Sequence, residues 1–300
     1  MFKNLQIYRL PKSLGMSRES IMEQMAKTAF QPCGSLDLKR SGWTSPTKNG
    51  DLVHAVACHW LISLCVEEKI LPASVVDQVV KERAEAIEEQ QGSRPGRKQL
   101  KEIKAVVTDE LLPRAFSTRR SITAWIDPIN GWMAVNASTA AKAEEVLSAL
   151  NKSVENFPLS LLRTEISPAT AMAEWLASDC APGGFTIDRD CELKANVEEK
   201  SSVRYAHHSL EMDEIKQHLS SGKQPVRLAM TWNDRMSFIL TDKLEIKRVQ
   251  FLDIIKEEAQ AQAETAEELF DADFLLMADE LAKFLPDLMG ALGGEKNNND

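Results

Sequence analysis

Two stretches set histidine beside a second side chain able to do chemistry: His54, Cys58 and His59 in VHAVACHW, and the adjacent His207 and His208 in VRYAHHSLEM. If residues 54–59 were helical, the i, i+4 spacing would put two metal ligands on one face. On strands the three do not converge in this way, and half-buried sheet positions explain them better. One of the paired histidines could act as acid or base with a partner nearby, but no GxSxG-type nucleophile motif accompanies them. A polar loop before a helix is the plainer reading. Glu67 with Glu68 and Asp188 with Asp190 have the chemistry to hold Mg²⁺ in a nuclease, yet paired acids are too common to mark a site. SSGKQP at 220–225 has the lysine of a phosphate loop without its upstream glycine or the following Ser or Thr. These residues support no enzyme, no metal site and no cofactor.

A stronger signal is electrostatic. The chain carries a formal charge of −9, yet between Ser93 and Arg120 it gathers eight basic and only three acidic residues, a local +5. Acidity belongs to the C-terminal stretch: residues 253–300 hold 13 acidic and 3 basic side chains, or −10, leaving +1 for residues 1–252. An acidic total therefore does not exclude a polyanion partner, because the field depends on where the charges sit. A solvated helix face is the ordinary meaning of such a run. Against it stands LLPRAFSTRR (111–120), where Arg114, Arg119 and Arg120 flank Phe116, a basic setting with an aromatic that could lie on sugars or base edges.

The elements that position these groups can be read from periodicity. QIYRL is strand-like, and SRESIMEQMAKTAF is a helix capped by Ser17, with Ile21, Met25 and Ala29 in register. DLVHAVACHWLISLC, rich in Val, Ile, Leu and Trp, reads as strands. EEKILPASVVDQVVKERAEAIEEQQ places Val75, Val76, Val79, Val80 and Ile87 on one helical face, GSRPG breaks it, and RKQLKEIKAVVTDELL returns as a second helix. Together they predict a helical hairpin that carries Arg97, Lys101 and Lys104 on one stripe and projects its turn away from the body. A β-hairpin at SITAWI-DPINGW-MAV, helices at STAAKAEEVLSALNK, SPATAMAEWLA and LEMDEIKQHLSSG, a three-stranded meander from VRLAMTW to EIKRVQFL, and a terminal helix with Phe270, Phe274, Met277, Leu281, Phe284 and Leu288 complete an α+β pattern. The divisions expected are 1–72, an N-terminal α+β part; 73–118, the hairpin; 119–185, a second α+β part; 186–252, a helix plus meander; and 253–300, the acidic helices. Five cysteines without a CxxC pair argue against a disulfide framework or zinc ribbon, and the N-terminus has neither a signal-peptide core nor a spanning run, so a cytoplasmic protein without membrane contact is expected.

FKNLQIYRL (2–10), QPCGS (31–35), EEKILP (67–72), LLPRAFS (111–117), AKAEEVL (141–147), DADFLLM (271–277) and ALGGE (291–295) occur in this order in bacterial recombination-associated RdgC proteins, and the chain resembles that family over nearly its whole length. The resemblance implies a cytoplasmic, nucleoid-associated, non-catalytic protein without cofactor. It further implies antiparallel sheets with packed helices and a projecting helical-hairpin finger, assembled as a ring-shaped homodimer. Such a ring would bind duplex DNA without sequence preference and limit access of the recombinase RecA. By the same resemblance Arg114, Phe116 and Lys223 match the family's DNA-contacting positions. His207 and His208 stand where relatives carry a basic residue and Gln, and Cys65-Val66 where they often carry a basic pair. Histidine is mostly uncharged above ~6.5, so these departures bear on binding at neutral pH. Arg94, Arg97, Lys98, Lys101 and Lys104, with Arg114, Arg119, Arg120 and Lys223, are then expected to face a threaded duplex. Phe116 is expected either to touch DNA or to pack the base of the finger. The acidic helices would suit a subunit contact or an outer wall. A different class of function, an acidic DNA mimic that sequesters a DNA-binding enzyme, is the alternative.

Overall fold

The computed structural model describes residues 1–48, 50–195, 201–206, 212–252 and 265–296. Its centre is a 12-stranded sheet whose paired strands all run antiparallel. In chain order these are β1 (Asn4–Arg9), β2 (Lys39–Thr44), β3 (Val53–Val56), β4 (His59–Lys69), β5 (Ser117–Asp127), β6 (Trp132–Asn136), β7 (Ser160–Leu161), β8 (Phe185–Ala195), β9 (Ser202–Tyr205), β10 (Lys223–Trp232), β11 (Met236–Thr241) and β12 (Ile246–Phe251). Across the sheet the order is β2-β4-β5-β6-β1-β12-β11-β10-β8-β9, with β3 extending β2 along β4, and β7 extending β12 along β1. Two halves meet at β1 and β12, where Asn4 faces Lys247 and Leu5 faces Ile246.

Alternation along the N-terminal half sends side chains into two separate cores. Ile62, Leu64, Ile122, Ala124, Met133 and Val135 pack under α1 (Arg18–Ala26) and α4 (Ala140–Ser153), while Leu61, Trp125, Ala134, Leu5 and Ile7 join the opposite core. That second core continues over the C-terminal half beneath α5 (Pro168–Ser178) and α6 (Met212–Ser220). Its main beam is the terminal helix, Ala266–Ala291, numbered α7 here. Phe274, Met277, Leu281, Phe284 and Leu288 are all buried, and Phe284 stacks edge-on to Phe238 at 4.9 Å and Trp232 at 5.7 Å. The apolar face expected to serve a subunit contact is thus spent inside this chain, because the meander offers an uncovered apolar face that only a long amphipathic helix can close. Glu280, 2% exposed, is satisfied by both arms of Arg235 at 2.8 and 2.9 Å, and Arg9 clamps the ALGGE segment through Glu295 at 2.7 Å.

His54 and His59 each hold α7 to the β3–β4 hairpin: His54 Nε2 meets Asp271 at 2.7 Å and His59 Nε2 meets Asp279 at 3.2 Å. Cys58 Sγ lies 3.7 Å from His59. Among the described residues no group of three or more His, Cys, Asp and Glu side chains is placed to hold a metal ion, and no helix is long and apolar enough to cross a membrane.

Three local expectations differ. α1 stops at Ala26, and Ala29 instead bridges to Trp43, so only Ile21 and Met25 of its predicted stripe are helical core residues. Glu67 and Glu68 lie near the end of β4, which runs to Lys69, and the next helix, α2, spans Ala73–Gln91 with Val75 43% exposed. β8 was not among the expected strands: FTIDRDCELKA turns Phe185, Ile187, Cys191 and Leu193 to the core, but Arg189 and an irregular pairing between Ile187 and Cys191 interrupt the alternation.

Candidate nucleic-acid interface

Three of the sequence strings that lie far apart in the chain meet at one buried carboxylate. Glu67, 4% exposed, accepts from the Cys33 backbone N–H at 2.8 Å and from the Ser117 hydroxyl at 2.7 Å, with Arg119 Nε at 3.3 Å. QPCGS, EEKILP and LLPRAFS are therefore the walls of a single joint, from which α2 and α3 (Arg97–Leu111) leave the sheet. The preceding loop crosses β2 so closely that a Cβ on Gly42 would lie 2.5 Å from Phe30 Cα, so only glycine fits there. The Cys33 N–H, then the Ser117 hydroxyl, hold the Glu67 carboxyl below its usual range. A depressed carboxylate stabilises the fold above the unfolded value of ~4.3, and that contribution disappears as pH falls through the folded value. Glu67→Gln should accordingly lower urea stability at pH 7 and lose its difference from wild type in acid; an unchanged difference at pH 3 would rule this out.

From this joint rises the helical hairpin. Gly92 takes φ 71° and closes α2 in the left-handed conformation that glycine tolerates. Val76 and Val107 are buried between the helices, and Arg83 forks onto Glu110 across them. That hydrogen bond holds the Glu110 carboxyl low. The expected basic stripe divides here: Lys104 is tied to Asp77 at 2.6 Å and Arg94 to Glu88 at 3.0 Å, whereas Arg97, Lys98 and Lys101 are exposed and form no ion pair among the described residues. These three occupy the first two turns of α3, which has no acid in its first turn and no side-chain cap. A helix N-terminus is the positive end of the macrodipole, so cations there work against the helix, each by roughly 0.3–1 kcal/mol.

At the other end of α3, a 3₁₀ turn over Leu112–Arg114 delivers the chain to β5. Arg114 is exposed without an ion pair among the described residues, and Phe116 is 85% exposed. Phe116 does not seat the hairpin, since Leu112 and Val107 fill that role. Ile70, also exposed, stands directly across from Phe116, since Ile70 N–H donates to Phe116 O at 2.7 Å, whereas Leu38, whose carbonyl accepts from Lys69 N–H at 2.8 Å, is one position out of step and points to the other face. Leu36, 64% exposed, lies two residues before Leu38.

STRR forms the start of β5, so Arg119 and Arg120 point to opposite faces. Arg119 lies by Glu67 and over Phe30, 5.3 Å from its ring centroid. Arg120 crosses to α4, where one Nη reaches both oxygens of Glu145 at 2.7 and 2.9 Å, and Lys39 shares that carboxylate at 3.3 Å. Burial pushes the Glu145 carboxyl up, but Arg120 and then Lys39 outweigh it and hold the group low. Lys223 opens β10, with Nζ 3.3 Å from His218 Nδ1. Five antiparallel steps separate β10 from β5, which places Lys223 ~24 Å across the sheet and at its opposite end. One chain does not bring Lys223 to the hairpin. His207 and His208 lie outside the described residues.

Of the carboxylate pairs weighed for a metal, Glu67 is consumed in the joint. Asp188 sits on the open face of β8 and accepts from Thr231 at 2.9 Å; burial, together with the charge of Asp190, raises it despite that hydrogen bond.

Residues 1–295 match a family model described as "Putative exonuclease, RdgC". The chain is 54% identical over 294 residues to "Recombination-associated protein RdgC" of Janthinobacterium sp. (strain Marseille), covering 98% of both chains. It is likewise 54% identical over 297 residues to the protein so named from Dechloromonas aromatica (strain RCB), again 98% of both. The relative from Bordetella parapertussis (strain 12822 / ATCC BAA-587 / NCTC 13253) is 48% identical over 98% of this chain and 99% of its own.

Proposed function

The chain belongs to the RdgC family, and on that premise we propose that it binds duplex DNA without sequence preference as a ring-shaped homodimer, limiting the access of RecA by occupying the DNA. The observation that supports this most is the placement of Arg97, Lys98 and Lys101, unpaired at the wrong end of a helix for stability. A solvated face has no reason to put them there. A phosphate backbone has one, because cations and unsatisfied N–H groups at a helix N-terminus jointly attract anions. Fifteen residues at ~1.5 Å each set this cluster ~20 Å from Arg114, the length of roughly six base pairs at ~3.4 Å. The hairpin is then the finger of the clamp, its axis lying along the duplex. Two-fold symmetry doubles each contact and supplies Lys223 from elsewhere on the ring wall. Arg94, Lys104 and Arg119 reach DNA only by exchanging a carboxylate for a phosphate, so they contribute less, whereas Arg120 spends only one Nη on Glu145. His207 and His208 keep their assignment to the DNA path, and localisation at the nucleoid follows from DNA binding.

The relatives are named for recombination and the family model for an exonuclease, so the decisive experiment includes both outcomes. Linear and closed circular duplex are titrated with wild type and with Arg114→Ala plus Phe116→Ala, with and without Mg²⁺. The clamp requires binding of both forms, weakened in the variant, with the DNA left intact. Mg²⁺-dependent shortening of the linear form would make the protein a nuclease, and absence of duplex binding would favour the acidic DNA mimic.

Phe116 has a second reading, favoured by Ile70, 49% exposed and directly across from it. Two exposed apolar side chains turned the same way suit a contact with protein better than one wedge between bases does. Phe116→Ala should shift the dimer toward monomer in sedimentation if a second copy covers the pair. Weaker DNA binding by an intact dimer would return Phe116 to the DNA.

A further inference from the structure

A second cationic feature lies away from the hairpin, where β1 and β5 begin, β6 ends and α4 starts. Neighbouring antiparallel strands place all these termini at one end of the sheet, the end that carries the hairpin. A cleft of about 340 Å³ opens there, lined by Lys3, Arg120, Asn136, Ser138 and Lys142 among others, with no carboxylate in its lining among the described residues. Lys3 and Lys142 are exposed and form no ion pair among the described residues. Glu145, the nearby acid, is engaged by Arg120 and Lys39 together. Asn136 uses its side-chain oxygen to accept the N–H groups of Lys3 at 3.1 Å and Asn4 at 3.4 Å, which leaves its NH₂ to donate. Arg120 Nη1 is buried with no hydrogen-bond partner. Lys142 stands in the first turn of α4, whose macrodipole is positive at that end. Lys3, Lys142 and Arg120 can only donate, and the Asn136 oxygen is already taken by two N–H groups, so the cleft offers mainly donors.

We propose that this cleft binds a phosphate group, specifically a phosphodiester of the duplex backbone as it leaves the hairpin. A tetrahedral anion would take hydrogen bonds from Lys3, Lys142 and Asn136 and supply the acceptor that Arg120 Nη1 lacks. The inference rests on the duplex binding proposed above for the parent molecule of the phosphate, and on the cleft alone for the phosphate itself.

The test uses the full chain carrying Lys3→Ala and Lys142→Ala, with Arg120 kept because it also anchors α4. Lys12→Ala, an exposed lysine just beyond the far end of β1, serves as control for loss of net charge. Duplex binding is measured across a salt series, and thermal stability is measured in inorganic phosphate against chloride at equal ionic strength. The double variant should bind duplex with a salt slope shallower by about 0.9 for each lysine that neutralises a phosphate, while the control keeps the wild-type slope after allowance for its lost charge. Stabilisation by phosphate should be present in wild type and lost in the double variant. A wild-type slope in the double variant overturns the cleft and leaves the clamp intact. If wild type fails to bind duplex, the clamp falls, and the phosphate measurement alone decides: equal stabilisation of wild type and variant overturns the cleft.

Discussion

Replacing Arg97, Lys98 and Lys101 together by alanine is expected to weaken duplex binding at 100 mM salt by on the order of 10³-fold or more. Each chain would lose three phosphate contacts and a two-fold dimer six, and counterion release makes each contact count as a power of the salt concentration. Folding should not suffer. All three side chains are exposed and without ion pairs among the described residues, and removing cations from the first turns of α3 relieves an unfavourable interaction with the macrodipole. Unfolding in urea therefore separates a lost interface from a lost fold: the variant should be as stable as wild type or slightly more so. A variant that binds like wild type would place the DNA elsewhere.

Phe284→Ala is expected to cost about 3–5 kcal/mol in urea unfolding, a large part of the roughly 5–15 kcal/mol by which a domain is stable. Phe284 is fully buried, with Phe238, Trp232 and Phe185 around its ring, and no neighbouring segment can collapse into the void without dragging α7 off the meander. Because α7 also holds the β3–β4 hairpin through Asp271 and Asp279, both halves of the sheet should loosen together. Phe116→Ala removes the same ring from a site that is 85% exposed and should change stability by less than about 0.5 kcal/mol. Equal losses from the two substitutions would contradict the placement of α7 as the beam of the core.

The contrast between these two phenylalanines shows what the sequence made legible. Phe284 sits in a helical repeat with Phe274, Met277, Leu281 and Leu288, and periodicity alone placed it in a core. It could not say whose core: the helix's apolar face, which would have suited a subunit contact, closes this chain's own sheet. Phe116 has no periodic context, so its exposure depends on Leu112 and Val107 having already filled the hairpin's base. Strands rich in β-branched, aromatic and other apolar residues, such as β4, were readable; β8 was not, since Arg189 and the irregular pairing around it break its alternation. The basic segment was legible as composition, but not as charge. Lys104 and Arg94 are offset by Asp77 and Glu88 of α2, which depends on how two helices align across a turn, while Arg119 and Arg120 diverge because STRR is strand. The family strings were readable as identity long before their purpose was: QPCGS, EEKILP and LLPRAFS come together only when Glu67 is seen to join them.

The most direct test of the clamp is the dependence of wild-type duplex affinity on salt. With ~6–10 phosphates neutralised by the two hairpins and the ring wall, log K should fall linearly with log salt at a slope of roughly −5 to −9, a loss of ~10³- to 10⁵-fold between 50 and 200 mM. A flat response, or no binding at 50 mM, would contradict an electrostatic clamp on DNA.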